Sequence, residues 1–198
     1  PDGRAYFQLL SRRLGEFAKV DIFRERIGVN GPEELIERSF LQIADLFRLS
    51  LRERERMYVA AQLAASFVPQ PVHTYWLFFL VALKLKMPRH FARIEAGAAV
   101  PVDFAALYKD LGSPEITLSI SRDDRPLPLS DLLPRYYGMC QVPEREASAR
   151  LNSIADDSLD YDLFLSALQA HGRRAKRHKG KLCFLDYADA VSSCGMAL

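Results

Sequence analysis

The chain has 198 residues, 49% of them hydrophobic, with 27 basic and 25 acidic side chains and a formal charge of +2. That composition excludes wholesale disorder, and the near balance of charge excludes a global field aimed at nucleic acid or an anionic membrane. A chain of this length buries roughly 70% of its unfolded surface, which is enough for a core without covalent staples.

Helical periodicity governs the first 112 residues. Asp2 is placed to cap a first helix whose Tyr6, Leu10, Leu14 and Phe17 share one face. In NGPEELIERSFLQIADLF, Asn30 stands at the cap, Pro32 in the first turn, and Glu33 and Glu34 at the positive helix end. Its apolar stripe is Ile36, Phe40, Ile43 and Phe47.

The next stretch, RLSLRERERMYVAAQL, sets Arg52, Arg54 and Arg56 between Glu53 and Glu55. Ser50 and Glu53 have the capping-box spacing. Glu53 is expected to pair with Arg56 at i,i+3, and the glutamates to neutralise most of the cation charge. A capped, solvated helix start is therefore expected rather than a phosphate-binding surface, which needs uncompensated cations. Phe67-Val68-Pro69 is expected to end the helix.

Residues 71–87, PVHTYWLFFLVALKLKM, are apolar nearly all round from Tyr75 to Leu83. Lys84 and Lys86 cut the run short of the ~18 apolar residues a membrane span needs, so a buried central helix is expected and no transmembrane segment. PRHFARIEAG and PVDFAALYKDLG follow as short helices closing on left-handed caps at Gly97 and Gly112.

At residues 113–128 the pattern changes. Ile116, Leu118 and Ile120 alternate with Thr117 and Ser119, a short strand ended by a charged turn and prolines. Helices resume at LSDLLPRYY, PEREASARLNSIA and SLDYDLFLSALQA. The fold class expected is mainly α: a multi-helix bundle with a buried central helix at 71–87 and a short β segment near 115–121. Residues 1–112 form the bundle, and 113–198 a smaller, mostly helical extension.

Candidate chemistry is sparse. HGRRAKRHKGK, residues 171–181, carries Arg173, Arg174, Lys176, Arg177, Lys179 and Lys181 with no acidic residue among them. This uncompensated run fits phosphates of nucleic acid or lipid headgroups, or else a solvated connection between helices. His171, His178, Cys183 and Cys194 lack the pairing that fixes a zinc site, and DDSLDYD lacks the glycine and terminal glutamate of a calcium loop, so no metal is expected. The acidic run reads as helix capping. His73, beside Tyr75 and Trp76, reads as a core or helix-end residue rather than a general base, and Cys140 and Cys194 have no flanking signature of a catalytic thiol. No catalytic residues are assigned. The cysteines Cys140, Cys183 and Cys194 are too few and odd in number for a disulfide framework, which points to a reducing, cytoplasmic setting. The start PDGRAYF has no initiator Met and no signal-peptide regions, and it reads as part of a longer chain.

Two resemblances bear on function. LSLRERERM is similar to the opening of the LuxR-type helix-turn-helix. The residues that follow, with Trp76, Phe78 and Phe79 in series, are core material where a recognition helix needs polar side chains for base edges. The second covers residues 1 to about 112. Pro1-Asp2, Tyr6 to Leu10, Phe47 to Glu53, Trp76 to Lys86 and Pro88 to Gly97 resemble the helical region C-terminal to the core of KAP-type P-loop NTPases. These are ATPases of bacterial phage exclusion and of membrane-associated scaffolds in animals. No GxxxxGK[ST] phosphate loop is present, since Gly180-Lys181 is followed by Leu182 and no Walker-B strand is apparent. The resemblance therefore implies a non-catalytic module that docks to an ATPase core, to a partner protein or to itself. ATP and Mg belong only to that core, and no cofactor to this chain. Contacts are expected at Arg173 to Lys181, and next at Arg52 and Arg56. The alternative is a nucleic-acid-binding regulator using residues 171–181.

Overall fold

The computed structural model describes residues 2–15, 17, 31–68, 70–98, 101–112, 115–119, 126–156, 158–174 and 185–194. Within them the fold is mainly α, a multi-helix bundle with one small two-stranded sheet. In chain order the elements are α1 (Gly3–Leu14), α2 (Pro32–Leu46), α3 (Leu51–Ala65), α4 (Thr74–Lys86), α5 (Pro88–Glu95), α6 (Pro101–Leu111), β1 (Thr117–Ser119), β2 (Pro126–Pro128), α7 (Leu129–Cys140), α8 (Glu144–Ser153), α9 (Leu159–Arg174) and α10 (Leu185–Ser193).

The helix starts follow from side-chain chemistry. Asp2 accepts the Arg4 amide at 3.0 Å to open α1. Pro32 occupies the first turn of α2, where a missing N–H costs nothing, and Glu33 and Glu34 face the positive helix end. α3 opens on the expected capping box: Ser50 Oγ accepts the Glu53 amide at 3.4 Å, and Glu53 Oε2 accepts the Ser50 amide at 2.8 Å. Asn30, expected as the cap of α2, lies outside the described residues, and Gly31 stands at that cap.

The helix ends use left-handed residues. Gly97, at φ 66°, closes α5 with the Ala98 amide on the Arg93 carbonyl and its own amide on that of Ile94. Gly112, at φ 55°, follows α6. The end of α2 has the same bond pattern, with the Leu49 amide on the Ala44 carbonyl and the Arg48 amide on that of Asp45. Its left-handed residue is Arg48, at φ 50°, where an L side chain is strained. Arg48 Nη2 reaches the Gly112 carbonyl at 2.6 Å, so the ends of α2 and α6 are joined there.

At the centre lies α4. Every residue from Thr74 to Leu83 is buried, and α2, α3, α5, α7 and α10 pack around it. Trp76 stacks on Phe79 and on Tyr136 of α7. Phe78 meets Phe40 of α2 and Phe17, which together with Phe7 and Tyr58 build an aromatic cluster. Burial on all sides explains the absence of polar residues from Tyr75 to Leu83. The helix is shorter than the 71–87 span expected from the prolines: thirteen residues, about 20 Å. No helix among the described residues is long and apolar enough to cross a membrane.

The β segment is a pair of three-residue strands. Leu118 is buried opposite Leu127 in an antiparallel register, and β2 is Pro126-Leu127-Pro128, which lacks strand patterning of its own. α7 follows at once and tolerates Pro134 in its interior. α8 packs on α9, while α10, which periodicity did not predict, packs on α3, α4 and α5.

Candidate functional site

The first predicted contact residues sit at the start of α3, and their ion pairs differ from expectation. Glu53 does not pair with Arg56. Its carboxylate takes Lys86 Nζ of α4 at 2.7 Å, together with the Ser50 hydroxyl at 2.7 Å and amide. The Lys86 ammonium, helped by the Ser50 bonds and only partly opposed by burial, lowers the Glu53 carboxyl from 4.5 to about 2. Arg54 Nη2 meets Asp45 at 2.7 Å, and its Nε donates to the Leu49 carbonyl at 3.0 Å. Glu55 faces Arg13 of α1 at 3.5 Å. The two glutamates are therefore held by cations from other helices. The sequence reading in which they neutralise their neighbouring arginines is corrected on this point. Arg52 is exposed, and Arg56 is half-buried.

The same helix carries the exposed apolar surface. Among the described residues, five large hydrophobic side chains are exposed: Leu9, Leu51, Val59, Leu63 and Phe67. Leu51, Val59, Leu63 and Phe67 fall on one ridge of fours that begins with α3, interrupted by Glu55. Leu9 lies alongside, because Tyr6 and Arg13 of α1 are tied to α3. Tyr6 Oη donates to the Leu51 carbonyl at 2.8 Å, and Arg13 reaches Glu55. Helix spacing brings the two arginines onto this face: Arg52, Arg56, Val59 and Leu63 follow steps of four, three and four. Apolar side chains out of the core leave no periodic signal when the inner face is filled with small residues. Here the inner face is Met57 and Tyr58 followed by Ala60, Ala61, Ala64 and Ala65, so in the C-terminal half of α3 hydrophobicity alone could not tell inside from outside.

His73 lies in the core. Its backbone amide donates to Tyr187 Oη of α10 at 2.9 Å. Its Nε2 stands 3.1 Å from Ser166 Oγ of α9, and its ring lies edge-on to Tyr136. Ser166 Oγ donates to the Leu163 carbonyl at 3.0 Å. Which of the two donates in the His73–Ser166 bond depends on the imidazole tautomer. Burial drops His73 from 6.5 to about 3, so the ring is neutral at physiological pH. The pair joins the start of α4 to α9, and the His73 amide joins it to α10. No sequence signal linked His73 to Ser166 and Tyr187, which lie 93 and 114 positions away.

Of the basic segment, Arg173 and Arg174 are the last two residues of α9. Lys176, Arg177, Lys179 and Lys181 lie outside the described residues, as do His178 and Cys183. Cys194 donates to the Ala190 carbonyl at 3.0 Å, and burial raises its thiol. Asp160 and Asp162 sit in the first turn of α9, but the capping bond comes from Ser158, whose Oγ accepts the Tyr161 amide at 3.1 Å. Among the described residues no cluster of three His, Cys, Asp or Glu is placed to hold a metal ion. A cavity of about 850 Å³ opens between α1 and α2. Its walls include Phe7, Phe17 and Tyr58, and its rim carries the ion pairs Arg4–Glu37 at 2.9 Å and Arg38–Glu34 at 2.8 Å. His73 and Ser166 do not line it. No family model matches this chain, and neither a curated protein nor a solved structure matches it.

Proposed function

We propose that this chain is a non-catalytic helical interaction module that docks on a protein partner through the face formed by α1 and α3. The observation that carries the reading is that, among the described residues, the five exposed large hydrophobic side chains all belong to α1, to α3 or to the turn just past α3. Scattered singly, such residues need no explanation; gathered, they mark a surface that another molecule covers. Among the described residues, three ionisable side chains join helices, His73 with Ser166, Glu53 with Lys86 and Arg54 with Asp45, and the His73 backbone amide bonds Tyr187. The resemblance of residues 1–112 to the helical region of KAP-type P-loop NTPases makes an ATPase core of that type the partner, in a phage-exclusion setting. ATP and Mg would be bound there and not here.

The test is co-expression with a P-loop ATPase core of that family, followed by co-purification and measurement of its ATP hydrolysis. A stable complex whose turnover changes, and which is lost when Val59 and Leu63 become serine, is the expected result. Binding to generic duplex DNA that falls steeply with salt, and that disappears when Arg173, Arg174, Lys176 and Arg177 are changed to alanine, would replace this reading with a nucleic-acid one.

A further inference from the structure

We infer that the outer face of α3 is a half-seam for one helix of a protein partner, and that this helix is amphipathic and carries carboxylates two turns from its apolar contact residues. The inference rests on the interaction reading above and specifies the partner's chemistry. Arg52, Arg56, Val59 and Leu63 repeat at four, three and four residues, the spacing by which one helix meets another along a shared seam. Val59 is 45% exposed and Leu63 48%, so the C-terminal half of the seam offers apolar surface. The N-terminal half offers charge. Arg52 lies seven residues, about 10 Å, from Val59 along the helix. Its carboxylate neighbours are committed elsewhere, Glu53 to Lys86 and Ser50, and Glu55 to Arg13. The seam is therefore apolar at its C-terminal end and carries the exposed Arg52 cation at the other.

That arrangement selects among occupants. A partner helix with leucine-like residues against Val59 and Leu63 places its next residues, two turns on, against Arg52. Carboxylates there gain, and lysines lose, by direct opposition. A second copy of this chain brings another half-seam of arginine and aliphatic residues, and the carboxylate on its ridge, Glu55, is already held by Arg13.

The experiment uses the full chain, labelled with nitrogen-15, and two synthetic amphipathic peptides with identical leucine seams. One carries glutamates two turns from the leucines and the other carries lysines at the same places. The glutamate peptide is expected to shift the amides of residues 52–63 and to bind at least about tenfold more tightly than the lysine peptide at low salt. Arg52→Glu should reverse that preference, and Val59→Ser with Leu63→Ser should weaken both peptides. Because Arg52 is exposed, R52E keeps the fold and decides the matter even if the double serine variant does not. Equal binding of the two peptides, or shifts confined to other helices, would overturn the inference. So would binding of phosphatidylserine vesicles on this face, or a dimer of the chain alone that V59S/L63S abolishes. An ATPase core that shifts the amides of α1 and α3 and needs Val59 and Leu63, while the two peptides bind equally, would remove this inference and leave the docking reading standing.

Discussion

α3 and α4 are neighbours in sequence and in space, yet they treat apolar side chains in opposite ways. α4 is hydrophobic on every side, and each of its residues from Thr74 to Leu83 is surrounded by protein. α3 turns alanines, Met57 and Tyr58 inward and leaves Leu51, Val59 and Leu63 in water. The small inward residues let α3 lie close against its neighbours, and the larger aliphatics are left on the outside. In α4 hydrophobicity accounts for the fold; in α3 the same residue types lie where the fold does not need them. The difference separates a helix whose apolar side chains are all taken up by the bundle from one that leaves three of them exposed.

The sharpest way to break that contrast is to make one edit in each helix. Leu77→Ala in α4 removes side-chain volume from a site with no exposure, and is expected to cost about 2–5 kcal/mol. Urea denaturation at pH 7 measures it through the shift in midpoint. A cost below about 1 kcal/mol would mean that the centre of the bundle is looser than described.

The second prediction concerns the N-terminal end of α4. His73 is held neutral, with its protonation moved from 6.5 to about 3 by burial. A depressed histidine means that the unfolded chain binds the proton more readily. Its contribution is therefore whole above 6.5 and is lost as pH falls toward about 3. By pH 5 the loss from this group alone amounts to about 2 kcal/mol. Stability measured from pH 7 to 5 should fall with that slope in the native chain and more gently in His73→Gln. Parallel slopes would place the ring in contact with water.

How much of this was legible beforehand depends on how far each partner lies along the chain. The unbroken apolar run from Tyr75 to Leu83 declared a buried helix, and Ser50 with Glu53 declared a cap, because those signals are local. The same locality misassigned Glu53 to Arg56, three residues on, when its partner is Lys86 on the next helix. It also extended α4 back to Pro71. The helix starts at Thr74, with His73 before it in extended backbone and its amide bonded to Tyr187 of α10, a helix no periodicity had revealed. Arg48 has no sequence signal at all: a left-handed helix end ordinarily calls for glycine. The apolar outer face of α3 was hidden for a related reason, since small buried alanines and large exposed aliphatics reverse the usual reading of size as depth.

A smaller effect is expected where α3 begins. Glu53→Gln keeps the shape but weakens both the reciprocal cap and the bond to Lys86, for a loss of about 1 kcal/mol. The Glu53 contribution is present above 4.5 and fades as pH falls through about 2, so it lies at more acidic pH than the His73 window. Combining E53Q with Lys86→Met in a double-mutant cycle separates the ion pair from the cap. Additive losses would assign the whole effect to Ser50.

The smallest effect on stability returns to the opening contrast. Leu63→Ala is the edit made at Leu77, moved to a side chain that is 48% exposed. Little packing is lost, and alanine is at least as good a helix former, so the midpoint should move by less than about 0.5 kcal/mol. If α3 serves the bundle alone, nothing else changes. If its outer face meets a partner, this variant keeps the melting curve of the native chain and loses affinity, a separation that Leu77→Ala cannot produce. A large destabilisation by L63A would show that the outer face of α3 is packed within the chain, and the division of labour between the two helices would fall with it.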